Sequence, residues 1–139
     1  MAYELKRFED FKVGDKASFT KTVTEADVVL FAGITGDFNP IHMNETYAKT
    51  TMFGGRIVHG MLVASLIGAA GAPFCGSASI YLGHSQKFVA PVRIGDTITA
   101  SVEVTALVPE KKHVKMRTYC TNQEGKVVVD GEATIKIIA

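Results

Sequence analysis

The chain has 139 residues, 47% of them hydrophobic and 21% charged, with a formal net charge of +1. That is ordinary globular composition with enough chain for one sizeable core, and it excludes a disordered protein. With charges this balanced and no long charge run, it carries no footprint for nucleic acid or an anionic membrane surface. Cys75 and Cys120 stand apart with no CxxC spacing and read as reduced packing residues. The N-terminus, MAYELKRFEDF, has no apolar signal core. The longest apolar run, residues 60–72, is shorter than the ~20 residues of a membrane helix. A cytoplasmic protein is expected.

In chain order, residues 1–16 are polar with scattered aromatics, and Val13-Gly14-Asp15 reads as a turn. Residues 17–23 alternate Ala17, Phe19, Lys21 and Val23 with Ser18, Thr20 and Thr22, the period of a short strand. Thr24 then caps a helix, with Asp27 at its third position in the manner of a capping box. Val28, Leu30, Phe31, Ala32 and Ile34 form its apolar surface, and Gly33 and Gly36 end it. Residues 44–50 fit one or two helical turns with Tyr47 packed inward. Residues 51–56, with Gly54-Gly55, read as a flexible connector. No Asp, Glu, Lys or Arg occurs between residues 57 and 86, so this stretch belongs inside the molecule. Its first half, residues 59–71, is apolar or small on every side, which predicts a fully buried helix stopped by Pro73.

From residue 77 the period becomes two. Strands are predicted over 77–90, 96–108, 112–121 and 126–138, with Pro91 breaking the first and Glu124-Gly125 turning into the last. On the second of these, Ile98, Ala100, Val102, Val104, Ala106 and Val108 share one face. Val114, Met116, Thr118 and Cys120 do so on the third, and Val127, Val129, Gly131, Ala133, Ile135 and Ile137 on the fourth. Consecutive strands with short turns are antiparallel, and strands with a segregated helix make an α+β fold. The expectation is one domain over residues 1–139, an antiparallel sheet curved around a buried central helix.

Chemistry concentrates in residues 31–48, FAGITGDFNPIHMNETYA, which place Asp37, Asn39 and His42 within six residues. Gly36 permits an unusual backbone angle, and Asn39-Pro40 forces an extended step. Asp37 and His42 should then project from a bent segment rather than from a helix face. A carboxylate and an imidazole aimed at one spot can hold a water and move its protons. Each residue also has a plain reading, Asp37 as a turn-former and His42 as a structural histidine. Asn39 either orients the water or Asp37, or simply makes the turn. A second stretch, IVHGM at 57–61, sits where loop gives way to helix. Helix N-termini present free N–H groups and partial positive charge, and a glycine there lets a ligand approach. Gly60 is thus a donor to a developing anion or a glycine needed for a tight helix start. His59 reads as structural, and His84 and His113 have no recognisable partner. No phosphate-cradling glycine loop and no metal cluster is present in the sequence, so neither cofactor nor metal is expected.

Residues Phe31, Ile34, Thr35, Gly36, Asp37, Asn39, Pro40, Ile41, His42 and Ala48 together resemble the signature of the MaoC-like, or R-specific enoyl-CoA hydratase, family. The IVHGM stretch and FVAPVRIGDTI at 88–98 fit the same resemblance. It implies the hot-dog fold and the reversible syn addition of water to a trans-2-enoyl-CoA, giving the (R)-3-hydroxyacyl-CoA of fatty-acid and polyhydroxyalkanoate metabolism. It implies Asp37 and His42 as the catalytic pair, with Asp37 favoured as base toward water and His42 as co-activator and proton donor. It makes Gly60 the donor to the thioester oxygen, and acyl-CoA the partner. Asn39, Phe38, Phe53 and Leu62 are the expected substrate contacts. Lys49, Arg56, Lys87 and Arg93 are candidates for the CoA phosphates. A homodimer or a dimer of dimers is expected, because a short sheet leaves hydrophobic edges in need of cover. Two rivals are a hot-dog thioesterase sharing the same CoA site and a non-catalytic acyl-CoA-binding subunit.

Overall fold

Alternating threonines and apolar side chains build the first strand, β1 (Lys16–Thr22), in the computed structural model, which describes residues 3–139. Helix α1 (Glu25–Thr35) starts on the expected capping box. The Asp27 N–H donates to Thr24 Oγ1 at 3.2 Å, and the Thr24 N–H donates to Asp27 Oδ2 at 2.9 Å. Burial works to raise the Asp27 pKa, but the Thr24 N–H, Lys21 and the Thr24 hydroxyl outweigh it and hold the carboxyl below its usual value. The apolar surface of α1 is only partly used. Val28 and Ala32 are buried, whereas Leu30 and Ile34 face solvent. Two single-turn helices follow, α2 (Pro40–Met43) and α3 (Glu45–Ala48). In α3 the inward residue is Ala48, and Tyr47 is exposed, contrary to expectation.

The long helix α4 (Gly60–Cys75) continues two residues past Pro73 instead of stopping there. Leu62, Val63, Ile67, Ala70 and Cys75 are buried on one side. Met61, Ser65, Gly68 and Ala72 form an exposed stripe on the other, so the helix is half-covered rather than fully buried. A single sheet can wrap only one side of a helix, and this side chain pattern leaves the second side to small residues.

Strands β2 (Ser79–Phe88), β3 (Thr97–Val108), β4 (His113–Thr121) and β5 (Val127–Ile137) complete a five-stranded sheet in the order β1-β3-β4-β5-β2, every pair antiparallel. Sequence neighbours β2 and β3 do not pair. Residues 89–96, broken by Pro91, carry the chain from one side of the sheet to the other. The inward face of β3 holds as far as Val104, after which a bulge at Thr105 shifts the register. Leu107, opposite Val114, then packs toward the core in place of the expected Ala106 and Val108. Gly131 of β5 is required by close approach: a Cβ there would lie 2.0 Å from the Ser85 carbonyl oxygen of β2. Helix α4 packs on β3, β1 and β4, and its buried side meets Ile98, Val102, Val104, Met116 and Cys120 in one core. The Cys120 thiol donates to the Val63 carbonyl of α4 at 3.6 Å. This is the hot-dog arrangement. Among the described residues, no helix is long and apolar enough to cross a membrane.

Candidate active site

Gly36 caps α1 with φ 78, a left-handed angle that an L side chain would resist, and it turns the chain toward the start of α4. Asp37 follows, its N–H donating to Thr35 Oγ1 and its Oδ1 accepting from the Asn39 N–H, both at 3.2 Å. Asn39 is the N-cap of α2, its Oδ1 accepting from the Ile41 N–H at 3.1 Å, with Pro40 at the first helical position. His42 therefore projects from a helical turn, not from an irregular bend. The signature asparagine serves as a cap in this geometry.

His42 is half-buried, and its Nδ1 lies 2.8 Å from the Ile57 carbonyl oxygen. A carbonyl only accepts, so the hydrogen sits on Nδ1 and the neutral ring offers the Nε2 lone pair. Arg56 strengthens this position from behind. Its Nε donates to the His42 carbonyl at 2.6 Å, and its fork pairs with both carboxylate oxygens of Glu25 at 2.9 and 3.0 Å. Arg93 donates to the carbonyls of Gly55, Arg56 and Phe53. Residues 53–57 are thus strapped down, and the connector expected to be flexible is a fixed wall of the site. Both arginines are committed to backbone carbonyls, which leaves Lys49 and Lys87 of the four basic candidates for CoA phosphates.

His59, whose sequence context reads mainly as structural, joins the site. A carboxylate oxygen of Asp37, a ring nitrogen of His42 and a ring nitrogen of His59 lie within 4.8 Å of one another. His59 is 1% exposed, and its Nε2 is 2.9 Å from the Asp37 carbonyl oxygen. Its ring stacks on His42 with 4.1 Å between centroids and a 31° tilt, and Phe31 lies 5.0 Å from it. The cluster has the composition of a two-histidine, one-carboxylate metal site. Its geometry is wrong for one: lone pairs lie in the ring planes, and stacked rings aim them side by side instead of converging them on an ion.

Gly60 opens α4 as its first residue, and its N–H donates to no acceptor among the described residues. A Cβ on Gly60 would meet Phe88 Cδ1 at 2.6 Å, so the glycine also lets the Phe88 ring close over the helix start. His42, Gly60, Phe53 and Phe88 line a cavity of about 460 Å³ that is mostly apolar along Val89, Val92 and Val128. Phe53 lines this cavity. Leu62 does not, being 5% exposed within the core, and Phe38 stands exposed outside the cavity lining. Sequence reasoning also missed Phe88 as the residue set against Gly60. His59 had a signal, a polar ring beside a glycine at the start of an uncharged helix, but nothing local says which way that ring turns.

The family model for the MaoC like domain matches residues 10–128. The chain is 56% identical over 136 residues to the (R)-specific enoyl-CoA hydratase of Rhodospirillum rubrum, covering 97% of this chain and 94% of that one. It is 44% identical over 131 residues to the 3-hydroxybutyryl-CoA dehydratase of Methylorubrum extorquens, covering 94% and 83%. Among solved structures, the (R)-hydratase of Aeromonas caviae involved in PHA biosynthesis superposes with a TM-score of 0.88 at 44% identity, over 93% of this chain and 98% of that one.

Proposed function

The chain belongs to the MaoC-like domain family, and from that premise we propose that it works as an (R)-specific enoyl-CoA hydratase, a hydro-lyase acting on acyl-CoA. The observation that carries the reading is the closeness of the Asp37 carboxylate to the His42 imidazole, with His42 and the unspent Gly60 N–H both lining one apolar cavity. A water making ~2.8 Å bonds to two acceptors at a near-tetrahedral angle spans about 4.6 Å, which falls within the 4.8 Å limit on the separation of the Asp37 and His42 polar atoms.

The steps follow from the donors and acceptors. The thioester carbonyl oxygen takes the Gly60 N–H, at the positive end of the 16-residue α4, where enolate charge develops. The water donates to Asp37 and to His42 Nε2 and attacks the β-carbon. The Nδ1–H bond to Ile57 makes His42 an acceptor before it can be a donor. In this reading His42 takes one water proton as the C–O bond forms, and the imidazolium returns it to the α-carbon on the same face. Asp37 holds the other water hydrogen, which stays in the product hydroxyl, and balances the imidazolium charge. The family resemblance favoured Asp37 as the base; here that role passes to His42, which keeps the role of proton donor, and the tautomer set by Ile57 is the reason for the change.

Phe53 is a wall of the acyl site in this reading, and Lys49 and Lys87 remain free to meet phosphate. Two copies pair through β2, which ends the sheet as a ten-residue free edge exposing Ile80, Tyr81, Leu82 and Phe88. Both cysteines are buried and unpaired, which supports a reducing, cytoplasmic location. The deciding assay follows loss of enoyl absorbance on crotonyl-CoA, with chiral analysis of the product. The (R)-3-hydroxyacyl-CoA is expected. Release of free CoA thiol would mean a thioesterase, and no turnover with tight binding would mean a binding subunit. A monomer by light scattering that kept full activity would overturn the pairing.

A further inference from the structure

We propose that His59 is the positioning residue of the Asp37–His42 pair, one buried ring that fixes both groups at once. The inference rests on the hydratase reading for its kinetic consequence and on geometry alone for its structural one. His59 occupies the N-cap of α4, a position where Ser, Thr, Asp or Asn commonly bonds an orphan N–H of its own helix. Its side chain makes no such bond. It reaches across the chain instead, with Nε2 donating to the Asp37 carbonyl at 2.9 Å.

That contact matters because Asp37 is otherwise held weakly. Its N–H goes to Thr35 and its carboxylate to the Asn39 N–H, both exposed residues within two positions of it. Among the described residues, the His59 bond is the one hydrogen bond that ties Asp37 to the core. The opposite side of the ring serves His42. A single hydrogen bond from Nδ1 to Ile57 leaves the His42 ring free to swing about that bond. The stack on His59 at 4.1 Å removes the swing and sets the plane in which Nε2 points. Phe31 is a further ring against His59, at 5.0 Å and a 58° tilt. The remaining nitrogen, Nδ1, is buried without a partner, which is a cost with no return for helix capping or core packing. An apolar residue of that size would fill the space without it. The ring earns its place through what it does to Asp37 and His42.

The test uses three variants of the full chain. His59→Gln keeps an N–H donor for Asp37 and loses the ring. His59→Phe keeps the stack and loses the donor. His59→Leu loses both. A misplacement of catalytic groups by about 1 Å can cost about 10²-fold. On that scale kcat should fall about tenfold in each of the first two variants and about 10²-fold in His59→Leu, with KM within about twofold. Hydrogen exchange on the free protein should speed up at residues 36–39 in His59→Phe and His59→Leu but not in His59→Gln, with the sheet unchanged. The proposal fails if all three variants keep kcat within about threefold of wild type, well under that misplacement scale. It fails equally if the three are reduced alike, with Tm falling and exchange speeding up throughout the chain. Should His59→Leu not fold, the exchange contrast between the other two decides. Wild-type protein that hydrates no enoyl-CoA would sink the functional reading alone, because the exchange experiment needs no substrate.

Discussion

Replacing Gly60 by alanine separates two uses of that glycine. The added Cβ would lie 2.6 Å from Phe88 Cδ1 and 2.9 Å from Cε1. Carbon atoms rest about 3.5–4.0 Å apart, so the ring must retreat by about 1 Å. Phe88 is 53% exposed and has room to turn outward, which puts the strain at the lower end of the usual 1–3 kcal/mol for overpacking. The smaller unfolded-state entropy of alanine returns about 0.4–1 kcal/mol. The net loss is about 0–0.6 kcal/mol, or at most about 2 °C in Tm for a chain of this size. Turnover should fall much further, by about 10²-fold, if the thioester must sit against this backbone. Adding Phe88→Ala tests the difference: the Gly60→Ala, Phe88→Ala pair should regain the Tm of Phe88→Ala alone yet stay about 10²-fold slower than it. In the same background, Gly60→Pro deletes the N–H itself. Proline is tolerated at a first helical position, and His59 before it already has an extended backbone at φ −52, ψ 126. Differential calorimetry and steady-state hydration give both quantities. If the alanine double variant turns over as fast as Phe88→Ala, Gly60 is a packing glycine and the oxyanion assignment is wrong.

Asp37→Asn and His42→Gln should each lower turnover by about 10²–10⁴-fold with circular dichroism unchanged, and the double variant should be little worse than the poorer single, because both act on one water. Additive losses would refute the shared water. Burial pushes the Cys75 thiol up to about 11 and Cys120 up to about 12, above the ~8.5 of an unfolded thiol. The native state therefore holds these protons: their contribution to stability is intact below about pH 8.5 and is lost as pH rises through the folded values, read as a Tm that drops in that window. Gly131→Ala should destabilise by about 3 kcal/mol or more, since its Cβ meets a backbone oxygen of β2 rather than a movable side chain. Urea unfolding would show it, and a loss under about 1 kcal/mol would mean β2 slides more easily than the pairing suggests.

What the sequence determined by itself was local. Thr24 and Asp27 formed their capping box because both partners lie within one turn. The inward faces of β4 and of the first half of β3 followed from a period of two, and Gly36 and Asn39-Pro40 bent the chain where they stand. The signature residues also named the carboxylate and imidazole that meet, since six residues hold them. Tertiary structure decided the rest. The bulge at Thr105 turned Leu107 inward because β4 imposed its register. One sheet covers one side of a helix, so α4 kept an exposed stripe despite its apolar composition, and Leu30 and Ile34 of α1 stayed in solvent. Arg56 and Arg93 were spent on carbonyls far along the chain, which no charge pattern reveals. His59 turned away from its own helix toward Asp37 and His42, a choice made by partners 22 and 17 residues away, because a buried ring settles wherever an acceptor and a flat neighbour are brought to it.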